Sequence, residues 1–77
     1  MRTDNETFPQ RLQRLRETHR RIGISRSVLA ELCGLNKNQI ARYERGEQTP
    51  NLESLIALAE FFEVSIDYLT CRTEQRN

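Results

Sequence analysis

Cys33-Gly34-Leu35-Asn36-Lys37-Asn38-Gln39-Ile40-Ala41-Arg42-Tyr43-Glu44-Arg45-Gly46 is the stretch whose reading decides the fold. It reads as a tight turn at Gly34, a helix opened by Asn36 and a stop at Gly46. Asn36 is a favoured N-cap, because its side-chain oxygen accepts an orphan N–H of the first helical turn. Gly46 suits the left-handed position just past a helix C-terminus. Within this helix Ile40 and Tyr43 fall three apart on one face, while Lys37, Asn38, Ala41, Arg42 and Arg45 turn the other way. Four of those five side chains are basic or amide. Lys and Arg suit guanine O6/N7 or a phosphate, and Asn suits adenine N6/N7. On this helix alone, a merely solvated outer face fits equally well.

Working outward, the preceding residues predict a second helix from about Arg26 to Cys33, capped by Ser25 and broken by Gly34. It is expected to bury Val28 or Leu29, Ala30, Leu32 and Cys33. Further back, Phe8, Leu12 and Leu15 recur at i, i+4 and i+7, the stripe of an amphipathic helix. Pro9 is tolerated in its first turn. That helix is expected to run to about Arg21 and to end at Gly23, with residues 1–7 polar and frayed. Downstream, Glu47 to Pro50 forms a polar loop, and Pro50 discourages helix at Thr49. Asn51 caps a fourth helix, Leu52 to Phe62, with Leu52, Leu55, Ile56, Ala59 and Phe62 on one face. Ser65 caps a short fifth helix from Ile66 to Leu69 or Thr70, and residues 71–77 form a polar tail. The expectation is an all-α domain of five short helices over residues 8–70. Its second and third helices are joined by a tight turn, as in a helix-turn-helix unit. In such units the second helix enters the major groove N-terminus first, and the first crosses the backbone.

Seventy-seven residues suffice for one small domain. There is no apolar run approaching the roughly 20 residues of a membrane span and no signal-peptide h-region, so the expected location is the cytoplasm. Cys33 and Cys71 lie far apart, and with a single histidine a zinc site is not expected. Cys33 reads as a small buried hydrophobe, and the role of Cys71 stays open. The net charge of +1 hides an asymmetry. Residues 1–46 carry ten Lys/Arg against five Asp/Glu, a net of +5, and residues 47–77 carry two against six, a net of −4. Such a chain presents one basic end to a polyanion and keeps the acidic end away, unless the clustering is chance.

Leu29-Ala30-Glu31-Leu32-Cys33-Gly34-Leu35, Ile40-Ala41-Arg42-Tyr43-Glu44-Arg45-Gly46, Thr49-Pro50 and Val64-Ser65-Ile66-Asp67-Tyr68-Leu69 together resemble the lambda-repressor-like, Xre-type helix-turn-helix family. The resemblance extends from about Phe8 to Leu69. It implies a compact five-helix DNA-binding domain, usually of a transcription regulator that binds double-stranded DNA as a homodimer. Position by position it implies that Lys37, Asn38 and Arg42 read bases, with Gln39 beside them reaching a base or a phosphate. Asn36 and Arg45 match phosphate-contacting sites. Arg26 stands where the family often has Gln, and is expected to reach a phosphate. The family usually pairs the residue at Glu44 with an Arg of the first helix. The expected pair here is Arg16 with Glu44; a gapless register would put His19 opposite Glu44 instead.

One departure stands out. The stretch from Thr18 to Ile24 is about three residues longer than the usual connection, which implies an extra turn on the first helix or a longer loop. His19, Arg20 and Arg21 there either add phosphate contacts or solvate a helix end, where cations suit the dipole. The function expected is a sequence-specific transcriptional regulator, a repressor by preference. The alternatives are a protein-interaction module or an antitoxin-like component of the same fold. No Gly-rich phosphate loop, Ser/His/Asp set or interpretable carboxylate pair points to an enzyme, and no cofactor or small-molecule ligand is evident. Phe61, Ile66 or Tyr68 are the candidates for an apolar dimer contact, the alternative being a monomer in solution that pairs only on DNA.

Overall fold

The computed structural model describes residues 6–75. Its elements are α1 (Phe8–Thr18), a 3-10 turn (His19–Arg21), α2 (Arg26–Cys33), α3 (Lys37–Glu44), α4 (Leu52–Phe62) and α5 (Ile66–Leu69). Four helix starts follow directly from the sequence. Ser25, Asn36, Asn51 and Ser65 each accept a backbone N–H of the first turn through a side-chain oxygen, at 3.1, 2.9, 2.8 and 3.0 Å. Each such cap contributes about 1 kcal/mol. The helix ends share one device as well. Behind α2 the N–H of Leu35 bonds back to the carbonyl of Ala30, and behind α3 that of Glu47 bonds to Arg42, both at 2.8 Å. Gly34 occupies the left-handed position this closure needs, with φ 72°.

The core is one cluster. Leu12 and Leu15 of α1, Leu29 and Ala30 of α2, Ile40 and Tyr43 of α3, Leu58, Ala59 and Phe62 of α4, and Val64, Tyr68 and Leu69 meet in it. α2 and α3 pack against each other across the Gly34 turn, and α1 lies against α3. None of the helices among the described residues is long and apolar enough to cross a membrane.

The structure corrects several expectations. α1 ends at Thr18 rather than near Arg21. His19–Arg21 make a separate 3-10 turn, in which Arg20 (φ 51°) and Arg21 (φ 72°) are left-handed. That conformation costs an L-residue about 1–2 kcal/mol. The turn is held from all sides. Ile22 and Gly23 donate to the His19 carbonyl, Ile24 donates to that of Arg16 at 3.0 Å, and the His19 ring packs 4.9 Å from Phe61 and 5.8 Å from Phe62. Gly23, at φ 78°, lies so close to α1 that a Cβ would sit 2.4 Å from the Glu17 carbonyl oxygen. In α4 the buried face is centred on Leu58, whereas Leu52 is 65% exposed. Glu53 and Glu60, seven residues apart, mark the outer face of that helix and set Leu58 and Phe62 opposite, so the expected stripe lies too far toward Leu52 and Ile56. Leu32 of α2 is exposed, Cys33 is half-buried, and Tyr68 is buried rather than offered to a partner.

Arg11 is the residue that composition misreads most. It is 1% exposed, its guanidinium lies 4.2 Å from the centre of the Tyr68 ring, and it donates to the carbonyls of Tyr68 and Thr73. It also binds Glu6 and Glu74. Glu6, expected in a frayed start, and Thr73 and Glu74, expected in a polar tail, thus make contacts with the packed domain; residues 1–5 and 76–77 of those segments lie outside the described residues. Hydrogen bonds from Arg14, and after them from Arg11, outweigh partial burial and hold the Glu6 carboxyl down at about 2 against its ordinary 4.5. A depressed folded-state pKa contributes stability that is complete above about pH 4.5 and is lost as pH falls through about 2. The stability gap between the native chain and Glu6→Gln is therefore expected to be constant near neutrality and to shrink steadily below pH 4.5. Urea melts at stepped pH measure it; a gap that widens on acidification contradicts the assignment.

Candidate nucleic-acid interface

α3 is fixed at both ends before any ligand is considered. At its start, Asn36 and Gln39 cap each other. The Asn36 side-chain oxygen accepts the Gln39 N–H at 2.9 Å, and the Gln39 side-chain oxygen accepts the Asn36 N–H at 3.0 Å. At its end, Glu44 is buried, with its side chain 1% exposed. Arg16 of α1 reaches it through Nε and through Nη2 at 3.1 Å. Arg26 of α2 donates Nε to the same carboxylate at 2.9 Å. Arg16 also donates to the Ile24 carbonyl at 3.0 Å. One carboxylate thus gathers α1, α2 and α3, and ties in the chain that leads into α2. His19 takes no part in it and lies on Phe61 and Phe62.

With Ile40 and Tyr43 buried, the opposite face of α3 is solvated: Lys37, Asn38 and Arg42 are exposed and Ala41 is half-buried. Lys37, Asn38 and Ala41 share an open groove with Ser25, Arg26 and Ser27 from the start of α2. The fold therefore sets the N-terminal turns of both helices side by side. Ser27 had not been singled out in the sequence; its place in the first turn of α2 was the available signal. Asn36 and Gln39 stand at the rim of this face, each with an amide oxygen committed to the cap. Arg45 is turned to its neighbour Glu47, at 2.9 and 3.1 Å. Burial pushes the thiols of Cys33 and Cys71 up from their ordinary range.

Charge is distributed differently from the sequence count. Arg11 and Arg14 bind Glu6, Arg16 and Arg26 bind Glu44, Arg45 binds Glu47, and Arg72 lies 3.8 Å from Asp67. Among the described residues, Arg20, Arg21, Lys37 and Arg42 are the cations with no ion pair. Charge outside ion pairs is what a polyanion feels most, so the basic character of the N-terminal half concentrates at α3, where Arg42 also senses the Glu47 carboxylate, and at the turn before α2.

A tight-turned helix pair, backed by three further helices and exposing a polar face on its second member, defines a helix-turn-helix domain. The Helix-turn-helix family model matches residues 12–69, and this chain belongs to the lambda-repressor-like helix-turn-helix family. It is 35% identical over 67 residues to the uncharacterized helix-turn-helix-type transcriptional regulator YobD of Bacillus subtilis, covering 87% of this chain and 57% of that protein. It is 37% identical over 65 residues to the regulator AnsR of the same organism, covering 84% and 56%. The chain thus spans a little over half the length of these curated relatives. Among solved structures it is similar to the P22 c2 repressor in complex with a synthetic operator. There the TM-score is 0.76 at 30% identity, over 83% of this chain and 92% of the other.

Proposed function

We propose that this chain is a sequence-specific, double-stranded-DNA-binding transcriptional repressor of the cytoplasm that reads the major groove with α3. The observation that carries this reading is the outer face of α3. Lys37, Asn38 and Arg42 are exposed there with no ion pair among the described residues, on a helix whose other face and both ends are fixed by the fold. The similarity to a repressor solved on its operator supports the same docking. Lys37 and Asn38 stand in the first turn and Arg42 one turn on, so the three face a groove floor together. Arg26 serves a phosphate only by sharing its guanidinium with Glu44, and Arg45 only by leaving Glu47. Repression follows from occupancy of a site that overlaps a promoter.

Two copies on two half-sites complete the proposal, because one short recognition helix reads only a few base pairs. Tyr68 is 6% exposed and covered by Arg11, so it gives no dimer contact. Leu52 and Ile56 of α4 are the exposed apolar residues in that half of the chain. Selection of bound sequences from a random duplex pool, followed by sedimentation of the selected complex, tests the whole reading. A recurring site with two-fold symmetry and two chains per duplex is the expected result. Loss of all selection overturns it, and a strictly one-to-one complex at saturating protein removes the dimer.

A further inference from the structure

The turn between α1 and α2 carries two exposed arginines on an unusual backbone. Its backbone is left-handed at Arg20 and Arg21, a conformation for which glycine or asparagine is the favoured choice. Arginine stands at both positions, exposed and without an ion pair among the described residues. We propose that this turn is a second DNA-contacting element, gripping the phosphodiester backbone beside the groove that α3 reads. The inference rests on the DNA-binding reading above and extends it to residues for which the usual shorter connection has no counterpart.

Position, rigidity and chemistry support it. Arg21 lies four residues before Ser25, which puts its backbone within about 14 Å of the start of α2. That start borders the same groove as Lys37 and Asn38. A strand of duplex carries a phosphate about every 3.4 Å of helix axis, so about 14 Å corresponds to about four phosphate spacings. The turn is also a platform rather than a loose loop. His19 docks on Phe61 and Phe62, Ile24 is bonded to Arg16 through backbone and side chain, and Gly23 packs against the Glu17 carbonyl. Strained conformations persist where the surroundings over-determine them. Guanidinium groups presented from a fixed backbone suit phosphate, which they bind through paired N–H donors.

The test is the salt dependence of binding to a random-sequence duplex and to the selected site. The double variant Arg20→Gly with Arg21→Gly removes both charges and relieves the left-handed backbone, so its thermal melt is expected to match or exceed that of the native chain. Its plot of log affinity against log salt is expected to be shallower by about 1.8, the contribution of two neutralised phosphates. The base preference of the selected site should stay as it was. Arg20→Lys with Arg21→Lys should restore the slope. A glycine variant with the native slope and footprint, while Lys37→Ala with Arg42→Ala weakens binding, overturns the inference and leaves the α3 reading standing. A native chain that binds no duplex at any salt overturns both.

Discussion

Arg16→Ala is expected to destabilise the domain by about 3–5 kcal/mol, the usual consequence of leaving a buried charge without its partner. Glu44 is the charge in question. Its side chain is 1% exposed, and after the change it keeps only the bond from Arg26, whose own side chain is 46% exposed. The loss spreads further, because Arg16 also holds the Ile24 carbonyl. Small domains are stable by about 5–15 kcal/mol in all, so a change of this size takes a large fraction of the total. His19→Ala is the control. It removes a ring from Phe61 and Phe62, and such aromatic pairs contribute about 0.5–1.5 kcal/mol. Urea melts of the two variants decide the register of α1 energetically. Equal losses, or a larger loss for His19→Ala, would show that Glu44 does not depend on Arg16. Arg16→Ala combined with Glu44→Ala should cost less than the two single changes together, because the orphaned carboxylate is then gone.

Replacing Lys37, Asn38 and Arg42 together by Ala is expected to abolish discrimination of the selected DNA site while leaving the fold intact. None of the three side chains is buried or makes an ion pair among the described residues. Exposed substitutions of this kind usually change stability by no more than about 0.5 kcal/mol. On DNA each good bidentate base contact is worth about 1–3 kcal/mol. Arg42→Ala alone should therefore weaken binding by about 5- to 150-fold and relax preference at one or two base positions. Arg45→Ala should do far less, since its guanidinium is already occupied by Glu47. If the triple variant kept both its fold and its site affinity, α3 would not be the recognition helix. The same fold would then be better read as a protein-interaction module.

The features read correctly from the chain share a property: they are local. Asn36 caps α3, Ser25 caps α2, and Gly34 closes the turn between them. Each involves residues within one helical turn or one turn closure, where side-chain chemistry and backbone conformation decide the outcome without help from the rest of the molecule. The alternation of Ile40 and Tyr43 with Lys37, Asn38 and Arg42 is equally local, since helical spacing separates the faces. The exposed part of the candidate site on α3 was legible for that reason, whereas the share that α2 brings to the groove through Ser27 was not, because only packing sets the two helix starts side by side.

What the sequence by itself determined is thus the five helices, the boundaries of four of them and the polar outer face of α3. Tertiary structure alone decided which cations stay free. Arg11 counts as basic in any composition, yet it is buried by partners about sixty residues away, Tyr68, Thr73 and Glu74. The end of α1 was likewise not local, because nothing in Glu17-Thr18-His19-Arg20-Arg21 forbids another helical turn. The chain leaves the helix there because His19 finds the rings of Phe61 and Phe62, and because Arg16 must reach both Glu44 and the Ile24 carbonyl. The buried side of α4 was open to reading, since Glu53 and Glu60 lie seven apart on one face with Leu58 and Phe62 opposite; what packing decided is that Leu52 and Ile56, at the flank of that apolar side, stay exposed.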